Sequence, residues 1–553
     1  MEPSGYLRYL PPVLWQADPD QAGFSLGDLL RIFEKVLTGI DDGVTIAHPS
    51  ITDQIAGVPG LLDPWKAPEQ FLPWLASWVA LDFPALQGQQ LWDEYQRRNV
   101  TSQIALVYRR RGLKSGLASY LDLYAVDQHR PRIALDDGSR LLVTTPGQAA
   151  LAPVTALVTQ GPVVTAAGLA AEGLVRPSCA AMSGDGHIFV GDMGITGVTA
   201  GLNLPVKNRV WRISPDGQYD LAGNPPRRQP VAAASMPLMQ VTAVAVRPAQ
   251  SGAPETLYTL DQNGTLYAVQ APYLNQAATQ VAVLAAAGAT FWPVAMAVDL
   301  DGDLLVLDRG DGAGSPNPPK ILTVKLQPLT VTRTPLSMVL EPLSLLVLDD
   351  GDLIVGDGRE QQPAQPGEFA GNLVQVHRGG QAQWTETLLI PTGDPAAGNP
   401  LVAPTAITQA GPDTLYVLDA GLKPFTPPSD NPFVLAVAEP TAVFRVGLTG
   451  AAPTVIRVSE PGEMVYPTGM VADGDRLVIC DRGQPEARGL LTVMSRLRPF
   501  HLNVVLHFVD GLLSSDPQQR AAEQRRVIGN VQAIVEQQRP AHIEWSLITE
   551  GPD

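Results

Sequence analysis

Apolar residues follow two different rhythms along this chain, and the switch between them divides it. From residue 1 to about 130 the rhythm is helical. Ser25-Leu-Gly-Asp28 has the form of a capping box, and Leu26, Leu29, Leu30, Phe33, Leu37 and Ile40 then make one apolar stripe. A loop rich in Pro and Gly ends at Gly60-Leu-Leu-Asp-Pro-Trp-Lys-Ala-Pro68. Phe71, Trp74, Leu75 and Trp78 are spaced for a second helix, with Pro73 in its first turn, where a missing N–H costs little. Residues 89 to 111 read as a third helix ending at Arg111-Gly112, and a fourth from about Ser115 carries Leu117, Tyr120, Leu121 and Tyr124 inward.

Residues 131 to 170 turn to strand chemistry, with Leu141-Leu-Val-Thr-Thr and Thr155-Ala-Leu-Val-Thr bounded by Gly and Pro. A short phrase then recurs six times: a hydrophobic strand ending in Asp. The terminal residues are Asp192, Asp261, Asp308, Asp357, Asp419 and Asp481, separated by 69, 47, 49, 62 and 62 residues. Around each copy the grammar repeats. First strands precede it, as in Pro293–Val298, Pro342–Val347, Pro404–Ile407 and Pro467–Val471. Turns at Asp185-Gly186, Asp301-Gly302, Asp350-Gly351 and Asp473-Gly474 reverse the chain, the hairpin signal in which both turn residues take positive φ. Third strands follow at Arg209–Ile213, Thr265–Val269, Ile321–Val324, Leu373–Val376, Val443–Val446 and Leu490–Val493. This period with this chemistry predicts a six-bladed β-propeller over residues 171–495. A strand from the β-rich connector 131–170 is a candidate for closing its ring.

After Arg496 the pattern changes again. Phe500, Leu502, Val504, Leu506 and Phe508 alternate along a strand. Asp516-Pro517 opens a helix whose Val527, Ile528, Val531, Ile534 and Val535 share one face, and which stops at Arg539-Pro540. Ile543, Trp545 and Leu547 alternate along a second strand. A β–α–β tail this small is expected to pack on the N-terminal helices.

Composition narrows the classes. The 553 residues exceed one core and fit about three domains, and 45% hydrophobic with 17% charged residues describes a packed chain. A net charge of −17 argues against wholesale nucleic-acid binding. Two cysteines, Cys179 and Cys480, are too few for a disulfide scaffold and point to synthesis in a reducing compartment. They fall in the first and last repeats, where a ring-closing disulfide competes with the reading of two small buried apolar residues. The start, Met1-Glu-Pro-Ser-Gly5, shows no signal-peptide pattern, and no apolar run nears the ~18 residues that cross a bilayer, so a soluble protein is expected, with any export by another route.

The flanks carry a resemblance. Tyr6-Leu-Arg-Tyr-Leu-Pro-Pro12, the Phe33 helix, Leu62-Asp-Pro-Trp-Lys-Ala-Pro-Glu-Gln-Phe-Leu-Pro-Trp-Leu-Ala-Ser-Trp78, Tyr108-Arg-Arg-Arg-Gly-Leu-Lys-Ser-Gly-Leu117 and Leu121-Asp-Leu-Tyr124 resemble the tail protein I family of contractile phages and injection systems. Pro499–Val504 and Glu536–Trp545 resemble that family's terminal strand and helix–strand unit. The repeats resemble an inserted NHL-type propeller. The resemblance implies a multidomain chain: a helical tail-protein domain at 1–130, a β-rich connector at 131–170, the propeller at 171–495, and the C-terminal β–α–β part of the first domain at 496–553. It also implies a baseplate wedge subunit, made in the cytoplasm, that meets other wedge proteins, the hub and spike, and the sheath in a six-fold particle.

Candidate chemistry is sparse. The six Asp residues at strand ends suit hard cations where several converge, or else satisfy backbone N–H groups in the turns that follow, and the second reading is preferred. Asp299-Leu-Asp301-Gly-Asp303 hints at a calcium loop without EF-hand spacing. His48, His129, His187, His377, His501, His507 and His542 form no metal motif, and no nucleophile elbow or phosphate-binding loop is present. The expectation is therefore no catalytic, cofactor or metal residues, and no enzyme. Arg97, Arg98, Arg109, Arg110, Arg111 and Lys114 gather positive charge suited to an acidic protein neighbour or to solvent. Trp65, Trp74, Trp78 and Trp92 read as helix core, with one or two as partner anchors. Three functions follow in order: structural baseplate component, recognition of a target-surface ligand through the propeller, and a metal-dependent propeller hydrolase.

Overall fold

The computed structural model describes residues 4–14, 25–41, 48–86, 89–124, 132–136, 140–147, 151–158, 163–165, 168–171, 173–194, 208–224, 226–232, 236–250, 252–286, 290–312, 315–358, 371–379, 384–390, 399–424, 435–437, 441–449, 453–460, 464–483, 501–508 and 513–550. Contacts divide the chain into two units: Met1–Tyr124 with Gln524–Arg539, and Ala125–Glu523 with Pro540–Asp553.

The first unit is helical. Its elements are α1 (Leu26–Thr38), α2 (Ile51–Gly57), α3 (Leu72–Trp78), α4 (Glu94–Tyr108), α5 (Lys114–Tyr124) and the later part of α6 (Pro517–Gln538). The capping box at α1 is present: Ser25 accepts from the Asp28 N–H, and Asp28 accepts from the Ser25 N–H. Helix α4 starts later than the sequence suggests, at a second capping box made by Asp93 and Gln96. Residues Ala85–Leu86 and Gln89–Gln90 pair instead as a two-stranded ribbon. Two glycines shape the turn between α4 and α5. Gly112 has φ +81°, and at Gly116 a Cβ would collide with the Arg110 carbonyl oxygen. Leu72, Leu75, Trp92, Val100, Ile104, Tyr120, Leu121 and Tyr124 are buried here, as are Val531, Ile534 and Val535 of α6. Asn530 Nδ2 donates to the Tyr124 hydroxyl at 2.7 Å, and Arg526 Nε donates to the Leu91 carbonyl at 2.8 Å.

The second unit contains six antiparallel sheets in a ring. Blade 1 is built from Pro177–Met182, Ile188–Asp192 and Arg209–Ile213, and blade 2 from Val241–Arg247, Thr256–Asp261, Thr265–Gln270 and Thr279–Val283. Blade 3 has Pro293–Val298, Leu304–Asp308, Lys320–Leu326 and Leu329–Pro335, and blade 4 has Pro342–Val347, Leu353–Asp357, Asn372–Arg378 and Trp384–Leu388. Blade 5 has Pro404–Gly411, Thr414–Asp419, Ala442–Gly447 and Thr454–Arg457. Blade 6 takes Pro467–Asp473 and Arg476–Asp481 from one end of the ring, and Arg140–Thr144 and Thr155–Val158 from the other. Each first strand neighbours the first strands of the two adjacent blades, so the circle closes. Leu490–Val493, expected as the third strand of the last blade, lies outside the described residues; that place is held by Arg140–Thr144.

Second strands are apolar at nearly every position because both of their faces are buried. Leu304 and Val306 face blade 2 while Leu305 and Leu307 face blade 4. Among the described residues, one apolar cluster fills each of the six gaps between blades. The Asp-Gly turns differ from expectation. In the five-residue connections Gly186, Gly302 and Gly351 have φ of +80°, +82° and +89°, while their Asp neighbours do not take positive φ. The longer connection is a turn closed by Ser183, Asp299 or Leu348 and relieved by one left-handed Gly, so only one position needs that conformation.

The repeated Asp residues are all buried, and their oxygens bind backbone. Asp192 accepts from the N–H groups of Val175, Arg176 and Gly194, Asp419 from Val402, Ala403 and Gly421, and Asp481 from Val465, Tyr466 and Gly483. Asp308 binds Trp292 and Gly310, and Asp357 binds Leu340 and Glu341. Asp261 likewise accepts from Met239 and Thr265, so every repeated Asp ties down the segment entering the first strand of its own blade, and all but Asp357 are also seen to accept from the turn that follows. In blade 6, Arg140 adds a buried ion pair to Asp481 at 3.0 Å.

The chain enters and leaves the ring beside itself. Arg132–Asp136, before the ring, pairs antiparallel with His501–His507, after it, and His501–His507 pairs in parallel with Glu544–Glu550. Val504, Val505 and Leu506 are all fully buried, so this strand is covered on both faces rather than on one. Val505 packs against Val465, at the entry to blade 6. Phe500 lies outside the described residues. The tail does not form one compact piece: its two strands lie in the second unit, while helix α6 from Gln524 lies in the first.

Both cysteines are free thiols. Cys480 belongs to the cluster between blades 6 and 1, and Cys179 packs on the cluster between blades 1 and 2. The sheet of blade 1 thus stands between the two thiols. Burial pushes Cys179 up to about 11 and raises Cys480 as well. The native protein is expected to leave both unmodified by a thiol reagent at pH 8 and to expose both on denaturation. A disulfide formed by mild oxidation of native protein would contradict this placement.

Asp481→Asn is expected to lower stability by about 3–5 kcal/mol, because it strands a buried guanidinium. Burial alone would raise the Asp481 pKa, but Arg140 and the three N–H donors outweigh it and hold the carboxyl below its ordinary range. The contribution is therefore complete above the unfolded pKa of about 3.9 and lost as pH falls through the lower native value. Denaturant titrations of the two proteins should converge below about pH 4. A stability gap that does not change with pH would disprove the ion-pair account.

Candidate assembly interface

Helix α1 is strongly amphipathic, yet its only buried residue is Gly27. Leu26, Leu29, Phe33, Val36 and Leu37 recur at spacings of three and four and are all exposed, Phe33 to 55%. The helix is anchored by polar contacts on its other side. Glu34 accepts from the Ser4 hydroxyl at 2.6 Å and the Gly5 N–H at 2.9 Å, and the Thr52 hydroxyl donates to the Leu37 carbonyl at 2.7 Å. Gly39, at φ +72°, ends the helix. The apolar face is thus held in place without being covered.

A second patch lies on α3. Trp74 lies 4.5 Å from Trp78, its ring tilted by 57°; Trp78 is 63% exposed, and Phe71 meets Trp74 edge-on at 5.5 Å. Trp65 lies 5.5 Å from Tyr95, both exposed. The expectation of helix-core tryptophans with one or two turned outward is corrected in number: three of the four are exposed. Only Trp92 is in the core, against Tyr120 and Tyr124; Trp65, Trp74 and Trp78 face outward because Leu72 and Leu75 supply the inner side of their helix. Of the 27 large apolar side chains exposed among the described residues, 19 lie within residues 1–124, so this surface is specific to the helical unit.

The basic cluster is largely used internally. Arg97 pairs with Glu69; Arg98 pairs with Glu94 and donates to the carbonyls of Pro64 and Ala67. Arg111 donates to the Gln537 carbonyl at 2.9 Å. Arg109 and Arg110 remain exposed, and the Lys114 side chain lies outside the described ones.

In the propeller, Asp299 Oδ1 accepts from the N–H groups of Asp301 and Asp303, and Oδ2 from Arg378 of the next blade at 3.2 Å. The loop's carboxylate is thereby committed to backbone and to an inter-blade ion pair. Burial, reinforced by the Asp299 charge, raises the Asp303 carboxyl. His187 sits beside Asp185 and His377 beside Asp352, His48 and His542 are exposed, His129 lies outside the described residues, and the side chains of His501 and His507 lie outside the described ones. Among the described residues no three His, Cys, Asp or Glu side chains converge as metal ligands.

One position passed over by the hydrophobic pattern stands out in space. Five first strands begin with Pro, and the residue before each strand lies on the rim of the ring, at the end of its innermost strands. These rim residues are Arg176, Gln240, Trp292, Glu341, Ala403 and Tyr466. Aligning the repeats on their five Pro residues reveals five of the six; the sixth, Gln240, precedes Val241.

Residues 39–130 match the phage tail protein family Tail_P2_I. No curated protein matches the chain. Among solved structures the chain is similar to a catalytically inactive virginiamycin B lyase from Staphylococcus aureus with quinupristin, at 13% identity and TM-score 0.35, covering 63% of this chain and 98% of that one. It is also similar to a gluconolactonase from Xanthomonas campestris, at 13% identity and TM-score 0.35, covering 64% of this chain and 96% of that one. A putative gluconolactonase is matched at 11% identity and TM-score 0.34, over 61% of this chain and 97% of that one.

Proposed function

We propose that this chain is a structural subunit of a phage-tail-like particle, a baseplate wedge component whose helical unit docks onto other tail proteins. The observation carrying this reading is that uncovered apolar surface is concentrated in and just before the segment matching the phage tail protein family. An apolar helix face held rigid but unburied exposes area worth about 25 cal/mol per Å2 when a partner covers it. The wedge partners are neighbouring wedge proteins, with hub, spike and sheath beyond them, in a six-fold assembly built in the cytoplasm. In this reading residues 1–130 and 496–553 form the scaffold, 131–170 the connector, and 171–495 a propeller that braces the periphery. No catalytic step is required of any residue.

Replacing Phe33 or Leu29 with Glu tests the proposal. Because both side chains are exposed in the isolated chain, each variant should match the parent's unfolding free energy within about 0.5 kcal/mol. Electron microscopy of particles produced with either variant should show missing or broken baseplates. Normal particles containing Phe33→Glu protein would sink the assembly reading.

A further inference from the structure

The rim is where the six blades stop being alike. In blade 5 the rim position is Ala403, 5% exposed, and in blade 1 it is Arg176, 2% exposed; in blade 3 it is Trp292, 46% exposed. The fold does not need an aromatic there, since Ala fits the same place in the ring. Nor is the tryptophan on a loose segment. Its N–H donates to buried Asp308 at 2.9 Å, and its carbonyl accepts from the Arg309 N–H at 2.9 Å. The Arg309 guanidinium reaches the carboxylate of Glu341, the rim residue of the next blade, at 2.9 Å. Glu341 is itself fixed through its N–H to Asp357 at 2.7 Å. Two adjacent blades therefore present an indole face, a guanidinium and a carboxylate on backbones pinned by the repeated Asp.

This set has a definite chemistry. The indole supplies a flat apolar face. The Arg–Glu pair is neutral as a unit and offers directional donors and acceptors, on a segment bonded directly to the Trp292 carbonyl. A pyranose ring matches it, with an apolar C–H face and a perimeter of hydroxyls. Charge selects among glycans. Residues 171–495 hold 19 Lys and Arg against 31 Asp and Glu, a net of −12 that repels polyanions. We propose that Trp292, Arg309 and Glu341 form a subsite for a neutral sugar residue of a glycan chain. This does not depend on the assembly reading, because it uses none of the helical unit.

The test is calorimetric titration of the full-length protein with neutral hexasaccharides (cello-, malto-, chito- and mannohexaose), and with heparin as the anionic comparison. At least one neutral hexasaccharide should bind, and Trp292→Ala should weaken it about tenfold or more. Arg309→Ala and Glu341→Gln should weaken it less, while Leu300→Ala, at another exposed apolar position of the ring, should leave it unchanged. All four positions are at least partly exposed, so thermal unfolding should match the parent and separate lost binding from lost fold. Absence of binding to every neutral hexasaccharide, binding to heparin alone, or affinity untouched by Trp292→Ala would each overturn the proposal. Phe33→Glu should retain sugar binding in full, so failure of one reading is distinguishable from failure of the other.

Discussion

The pairing of Arg140–Thr144 with Arg476–Asp481 is the constraint on which the second unit depends. It joins residues 341 positions apart, and closing a loop of that length costs on the order of 5 kcal/mol beyond a constant term. The cost is offset because closure completes the sixth inter-blade cluster and covers the edges that an open arc would leave at its two ends. Closure also forces the chain to enter and leave at the same blade. That is why Arg132–Asp136 and His501–His507 can pair immediately outside the ring, with Val505 seated on Val465. A ring closed in this way can be inserted into a host sequence without separating the host's two halves.

Within the ring, repetition and departure carry different information. The terminal Asp repeats because each blade has the same problem, an entering segment whose N–H groups are buried before its first strand has begun. A carboxylate at the end of the neighbouring second strand solves it locally. A cation ring would need the carboxylates to converge, and these are each turned into their own blade. The rim residue is fixed by the same bonds in every blade but the second, where Met239 takes them, and its side chain ranges from Ala403 to Trp292 without change of fold.

Much of this architecture was legible because strand burial writes itself into sequence. Leu304-Leu-Val-Leu-Asp308 is apolar at successive positions because both sheet faces are covered, and an Asp ending such a run marks a blade. The exposure of Trp74 and Trp78 was not legible. Their spacing with Phe71 and Leu75 fits a buried face equally well, and only the packing of Leu72 and Leu75 decides which side of α3 turns inward. Helix α6 was legible: its apolar face is plain in Val531, Ile534 and Val535, and its expected packing on the N-terminal helices is seen in the Asn530–Tyr124 and Arg526–Leu91 hydrogen bonds, whereas nothing in the pattern says that its two flanking strands fall in the other unit. The Asp-Gly turns were misread in detail because the dipeptide is shared by two-residue and longer hairpins, and loop length, set by pairing register, decides how many residues take positive φ.

The two units answer the problem of burial in opposite ways. The propeller buries its apolar strands against each other around a closed circle, and among the described residues few large apolar side chains lie on its surface. What it exposes at Trp292 runs against Ala403 and Arg176, buried at the same place in other blades. The helical unit has a core around Trp92, Tyr120 and Tyr124 but carries α1 with its apolar side uncovered and its polar side bonded down. Among the described residues, 19 of the 27 exposed large apolar side chains belong to the helical unit, and those of α1 follow a spacing of three and four. An apolar stripe on a helix whose backbone is already bonded down has only side-chain freedom left to lose when it is covered, which lowers the ordering cost of burying it.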